Sequence, residues 1–159
     1  MLRTSGATVI CHDEMFSDGE SRNTFESEFP RIFALTAQYP EDDVAAALDA
    51  HGRIDAPISN DAYPAIRAPV DEADPDEMRR AMEALVVCPY RLVSAAVPSI
   101  KLTGGGKVIL ATSAAPIRGI ANYSMFATGR GAENAMVKSI FLELASSNYA
   151  DLRDCAELR

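Results

Sequence analysis

Short apolar runs alternate with helix-period stretches along most of this chain, and that rhythm constrains the fold more than any other feature. It is the βα alternation of an α/β domain built on a parallel sheet. Ala7 to Cys11 is a β-rich run, and Ser21 to Glu28 follows as a polar helix. Ile32 to Leu35 is a short strand. Glu41 to Ala50 is a helix with acidic residues in its first turn and Gly52 as its stop. Ile54 to Ser59 reads as a strand with Pro57 in its middle, where a ladder donor is lost. Asp74, Pro75 and Glu77 form a box-like start for a helix that runs towards Ile100, and Pro89 is expected to kink it. Val108 to Ala111 is a buried-type strand after Gly104–Gly106. A long helix then spans Tyr123 to Ser146, with Val137, Ile140, Phe141 and Leu144 at helical spacing.

With 159 residues and 48% apolar content, the chain reads as one domain, residues 1–159. Its net charge of -8 argues against a nucleic-acid or anionic-membrane partner, because phosphate binding needs clustered Lys and Arg. No uninterrupted run of about 18 apolar residues exists, so no membrane-spanning segment is expected, and no signal peptide is visible. Cys11, Cys88 and Cys155 are widely spaced and odd in number, the pattern of reduced thiols in the cytoplasm. His12 and His51 have no matching ligand set, so no metal is expected. Gly104–Gly106 precedes a strand, whereas a phosphate loop follows one; the glycines are a turn.

The strongest constellation is Ser113, Phe126 and Arg130. Ser113 lies just past the strand Lys107–Thr112, at the carboxyl edge of a parallel sheet where ligands collect. Phe126 and Arg130 are four apart on a helix and share a face. This is the spacing of a Ser–Tyr–Arg or Ser–Tyr–Lys site, in which a phenol exchanges a proton, a cation lowers its pKa and a serine holds the substrate oxygen. Here the phenol is replaced by a benzyl ring. Tyr123 lies one turn earlier and is expected to line a pocket wall.

Four segments then resemble the halohydrin dehalogenase branch of the short-chain dehydrogenase/reductase superfamily: Val9–Phe16 (VICHDEMF), Ile58–Pro64 (ISNDAYP), Glu83–Leu92 (EALVVCPYRL) and Thr112–Ala132 (TSAAPIRGIANYSMFATGRGA). The resemblance implies a partial Rossmann-like, doubly wound parallel sheet in three α/β/α layers, lacking the first strand and the C-terminal strands. It implies open edges beside Ala7–Cys11 and Ile54–Ser59, and no strand in Asp151–Arg159. By the same resemblance a vicinal haloalcohol is the substrate, an epoxide and halide are the products, and no cofactor is used. Ser113 is then the hydrogen-bond donor to the oxyanion, Phe126 holds the tyrosine's place and Arg130 is the tuning cation. Asp61 is Arg130's charge partner, and Tyr63, Pro64 and Tyr123 line the substrate side with it. Homo-oligomerisation is expected through the helices Glu77–Ile100 and Tyr123–Ser146. Two other readings stand beside this one. One is a non-catalytic fragment or interaction remnant. The other is an NAD- or NADP-dependent oxidoreductase, if a Gly-rich turn precedes Met1.

Overall fold

The structure is a computed structural model and describes residues 6–30, 32–145 and 150–152. It divides into two compact units, Met1–Gly52 and Arg53–Arg159. In the first, strand β1 (Val9–His12) pairs in parallel with β2 (Ile32–Leu35), from Val9 opposite Ile32 to His12 opposite Leu35. Helix α1 (Gly19–Glu28) connects them, and Asp18 caps it by accepting from the Ser21 N–H. Helix α2 (Pro40–His51) carries three acidic residues in its first turn and stops at Gly52, whose φ of 75° is the left-handed conformation glycine adopts without penalty. Phe16, Ala34, Val44 and Ala47 are this unit's buried apolar residues.

The second unit holds a parallel sheet in the order β3-β4-β5, made of β3 (Ile58–Ser59), β4 (Gly106–Leu110) and β5 (Ala150–Leu152). Among the described residues β1 pairs only with β2, and β3 only with β4, so both are edge strands. The architecture is that of a partial Rossmann-like α/β fold, as the sequence predicts.

Two strand expectations need correction. The run Ile54–Ser59 shrinks to two residues of regular strand. The carbonyls of Asp55, Pro57 and Ser59 still accept from the N–H groups of Lys107, Ile109 and Ala111. In an alternating parallel ladder the return donor to Lys107 falls on residue 57, and proline has none. The second correction is β5. Ala150–Leu152 pairs with Gly106–Val108 where polar chain predicted no strand. Ser146, the remainder of the Asp151–Arg159 tail and Cys155 lie outside the described residues.

Helix α3 (Pro75–Leu102) is continuous over 28 residues, but its middle, Glu83–Val87, is a π turn. Pro89 explains it. The proline ring clashes with the carbonyl four residues back, that of Leu85, and the chain widens by one residue there. The Cys88 N–H accordingly reaches the Glu83 carbonyl, five residues back. The expected kink is thus absorbed as a bulge. α3 also contains an 18-residue stretch of mean hydropathy 1.4, enough by length and composition to cross a membrane; 33% of that stretch is buried. The sequence expectation rested on an unbroken apolar run and missed this average. Val93, Ala96 and Ile100 on this helix are core residues.

The core of the unit joins Val93 and Ile100 of α3, Val108 and Leu110 of β4, and Val137 of α5 (Ser124–Ala145). Between β4 and α5 lies a single helical turn, α4 (Ala115–Arg118). Gly129 lets α5 approach the π turn, because a Cβ there would stand 3.0 Å from Leu85 Cδ1. Gly106 is tighter still. A Cβ would lie 2.6 Å from the Asp55 carbonyl oxygen and 3.1 Å from Ile100 Cγ2. Gly106→Ala is therefore expected to destabilise the protein by about 2 kcal/mol, the usual cost of overpacking, read from the urea midpoint. An unchanged midpoint would mean that β3 and β4 do not meet here as described.

Candidate functional site

The site grows from the carboxyl end of β4. The chain leaves Leu110 through Ala111 and Thr112 to Ser113, then enters α4 and α5. Ser113 Oγ accepts from the Ala115 N–H at 3.1 Å, which leaves the hydroxyl proton available to another acceptor. The Ser113 carbonyl receives a long contact of 3.5 Å from Asn134 Nδ2 on α5.

Arg130 projects from α5 and is 8% exposed. Its Nη1 donates to the Ala111 carbonyl at 2.7 Å and to Glu133 Oε2 at 2.8 Å. Its Nη2 donates to the Asp61 carbonyl at 2.8 Å. One guanidinium thus ties the carboxyl edge of β4, the segment after β3 and α5 together. Its Nε is buried without a hydrogen-bond partner among the described residues, as are Thr112 Oγ1 and Asn134 Oδ1. Phe126, one turn earlier, sets its ring centroid 5.7 Å from the Arg130 guanidinium carbon. Tyr123 packs edge-on against the Phe126 ring at 5.7 Å, and the Arg67 guanidinium covers Tyr123 at 4.6 Å.

Asp61 corrects one expectation. It lies beside Arg130 but meets it through its backbone carbonyl, while its carboxylate accepts from the Ser59 hydroxyl. The ionic partner of Arg130 is Glu133, which is fully buried. Tyr63 and Pro64 line a small pocket together with Phe126 and Glu77. Ser113, Arg130 and Tyr123 are not among the residues of that wall. A wider cleft of about 570 Å³ opens between the segment after β3 (Ala68, Val70) and the start of α5 (Asn122, Thr128), with Pro116 and Ile120 on its wall.

Glu77 also departs from expectation. Asp74 caps the helix alone, through the Asp76 N–H, and Glu77 turns instead to Tyr63 and Arg80. The hydrogen bond from Tyr63, followed by those from Arg80, holds the Glu77 carboxyl below its ordinary range. In return, the bond to Glu77 pushes the Tyr63 phenol above its usual value. Tyr63 is therefore a committed donor, not a base. Burial pushes the Cys11 thiol up, away from the thiolate a nucleophile needs. In the first unit His12 Nε2 sits 3.5 Å from Asp43 Oδ2 and 3.1 Å from the Ala37 carbonyl.

Glu133 escaped the sequence reading, and Glu77 was read only as part of a helix start. For Glu133 the available signal was its i,i+3 spacing from Arg130. For Glu77 no local signal existed, because Tyr63 comes from another element.

With this geometry, comparison with known proteins is decisive at the family level. The model of the enoyl-(acyl carrier protein) reductase family matches residues 5–149. The chain belongs to the short-chain dehydrogenase/reductase superfamily. Trans-4-hydroxycyclohexanecarboxylate dehydrogenase of Sinomonas cyclohexanicum is 27% identical to this member over 160 residues, 93% of this chain and 61% of that protein. A solved structure described as a dehalogenation enzyme is 42% identical with a TM-score of 0.86, covering 91% of this chain and 59% of its own. A halohydrin dehalogenase bound to ethyl (2S)-oxiran-2-ylacetate is 30% identical with a TM-score of 0.89, covering 94% and 61%. This superfamily member thus spans about three-fifths of the length of these relatives.

Among the described residues, Gly104–Gly106 is not a dinucleotide-binding turn. A dinucleotide's pyrophosphate needs a glycine turn that leaves a strand and opens a helix. Gly104–Gly106 instead leads into β4.

Tyr63→Phe is expected to raise the Glu77 pKa, with Arg80 still holding it below the ordinary carboxylate value. A depressed carboxyl stabilises the fold above its unfolded pKa, and that contribution is lost as pH falls through the folded one. The variant should therefore lose stability at a higher pH on the acid side. A carbon-13 titration of the Glu77 carboxyl checks this, and an unmoved titration would remove Tyr63 as the cause.

Proposed function

We propose that this chain is a halohydrin dehalogenase-type member of the superfamily in which the direct proton-transfer step is disabled at position 126. The observation that carries this reading is Phe126 itself, a ring without an ionisable group held 5.7 Å from the buried Arg130 guanidinium. Support comes from the 42% identity to a dehalogenation enzyme and the 30% identity to a halohydrin dehalogenase.

In the reaction proposed for this lineage, a vicinal haloalcohol gives its hydroxyl proton to a phenolate, which becomes the phenol. The alkoxide then displaces the neighbouring halide, and an epoxide closes. Ser113 is assigned to the substrate oxygen, for which its hydroxyl proton is available. Arg130 is assigned to the phenol that Phe126 replaces. Tyr63, Pro64, Tyr123 and the backbone at Asp61 are assigned to the substrate side. The ligand class is a small haloalcohol or epoxide, with no cofactor. A hydroxyl-bearing substrate can be held by this arrangement without being deprotonated, which makes binding without turnover the second reading. Hydride transfer is a weaker third reading, because the same phenol would have to move its proton.

We place the protein in the cytoplasm, on the odd number and wide spacing of its cysteines. We assign α3 and α5 to contacts between copies, since Tyr90, Leu102, Phe141 and Leu142 leave apolar surface exposed on them.

The test is halide release from a small bromo-alcohol. The chain as it stands is expected to release none above the buffer rate, and Phe126→Tyr is expected to release halide measurably. Equal release by both forms would overturn the claim about position 126. Absence of release above the buffer rate from the variant, assayed up to the pH at which an ordinary phenol ionises, would overturn the dehalogenase reading.

A further inference from the structure

We infer that Glu133 silences Arg130: the buried carboxylate cancels the positive charge that position 130 would otherwise direct at position 126, so Glu133 is the residue that sets the proton affinity of any acid placed there. Only its consequence for turnover rests on the proposed reading; the electrostatic claim stands on geometry.

A cation lowers a phenol's pKa because it favours the phenolate. One unit of charge about 6 Å away, through an effective dielectric near 20, is worth about two pH units. Arg130 stands at that distance from the ring at position 126, with its guanidinium carbon 5.7 Å from the centroid. But Glu133 Oε2 lies 2.8 Å from Arg130 Nη1, and the two side chains are 0% and 10% exposed. Water does not screen them, so the ring faces a close pair of opposite charges in place of a cation. The potential of such a pair falls off much faster than that of a single charge, and most of the shift is cancelled. The carbonyls of Ala111 and Asp61 turn their negative ends to the same guanidinium and push in the same direction.

The other ionisable groups around the ring do not supply the missing charge. Glu77 and Tyr63, which share a pocket with Phe126, are hydrogen-bonded to each other, and Arg80 offsets the Glu77 charge. Arg67 is stacked on the far partner, Tyr123, not on Phe126. Arg130 is thus left as a structural clamp whose charge is spent locally. Restoring a phenol at position 126 therefore restores the proton carrier without the means of ionising it near neutral pH.

The experiment introduces a phenol and reads it directly. In Phe126→Tyr, labelled with carbon-13 tyrosine, one resonance appears beside those of the five native tyrosines, and its titration gives the pKa of the new phenol. The expected value lies within about half a unit of the ordinary ~10. In Phe126→Tyr/Glu133→Gln the amide keeps a hydrogen-bonding oxygen but removes the negative charge, and the pKa is expected to fall by one to two units, about 10- to 100-fold in ionisation. Halide release should rise by a similar factor near neutral pH. A pKa already depressed by more than one unit in Phe126→Tyr alone overturns the inference, and needs no second substitution. A pKa unmoved by Glu133→Gln in a folded protein overturns it as well. A shifted pKa with no halide release sustains the charge cancellation and sinks the dehalogenase reading. Release from both variants with unshifted pKa values does the reverse.

Discussion

A single buried guanidinium holds the second unit's functional edge together. Arg130 reaches from α5 to the carbonyl of Ala111 beyond β4 and to that of Asp61 beyond β3, and it carries its counter-charge, Glu133, on its own helix. Burying a charge is tolerable only when it is paired and hydrogen-bonded. Here the pairing comes from i,i+3 neighbours that meet as soon as α5 forms, and the carbonyls come from chain ends that a parallel sheet leaves pointing outward. Removing either partner alone would strand a charge in the interior. The positions of Ser113 and Asp61 therefore depend on an ion pair that contributes nothing to chemistry by itself.

The helices bring this clamp to the sheet. α3 packs Val93 and Ile100 against β4, and α5 adds Val137 to the same core. The close contact of Gly129 with Leu85 sets α5 against the π turn. That turn exists because of Pro89, so a proline with no part in the site shapes the surface on which α5, and with it Phe126 and Arg130, comes to rest. The coupling is steric: a Cβ at position 129 would stand 3.0 Å from Leu85 Cδ1, so a larger residue there would press on the turn.

Much of this was legible in the sequence because it follows from local rules. α2, α3, α5 and β4 come from periodicity and end signals, which depend on residues a few positions apart. The spacing of Ser113, Phe126 and Arg130 was equally readable, since a strand end and one helical turn fix it. What was not legible depends on partners distant in sequence. β3 shortens because its ladder needs a donor at Pro57, opposite Lys107. β5 forms from polar chain because β4 offers it a free edge, which no property of Ala150–Leu152 announces. Glu77 reads as a capping residue until Tyr63 arrives from the preceding segment. Asp61 reads as an anion for Arg130, but the carboxylate is taken by Ser59 and only the backbone is left to meet the cation.

A phenyl ring at position 126 and a buried carboxylate beside Arg130 make physical sense as a pair. A phenol that must ionise needs an uncompensated cation nearby, and an uncompensated cation in a site this dry is costly. A phenyl ring makes no such demand: its face tolerates a guanidinium through its quadrupole whether or not the charge is balanced. With Phe126 in place the guanidinium can be neutralised without loss, and the fold gains a clamp at lower electrostatic cost. Three buried polar atoms that keep no hydrogen-bond partner among the described residues, Arg130 Nε, Thr112 Oγ1 and Asn134 Oδ1, belong to residues on the chain around Ser113 and the helix facing it. An interior rebuilt only for stability would have replaced such groups with apolar ones. Around Arg130 the three atoms mark a polar frame that the ion pair with Glu133 does not by itself satisfy.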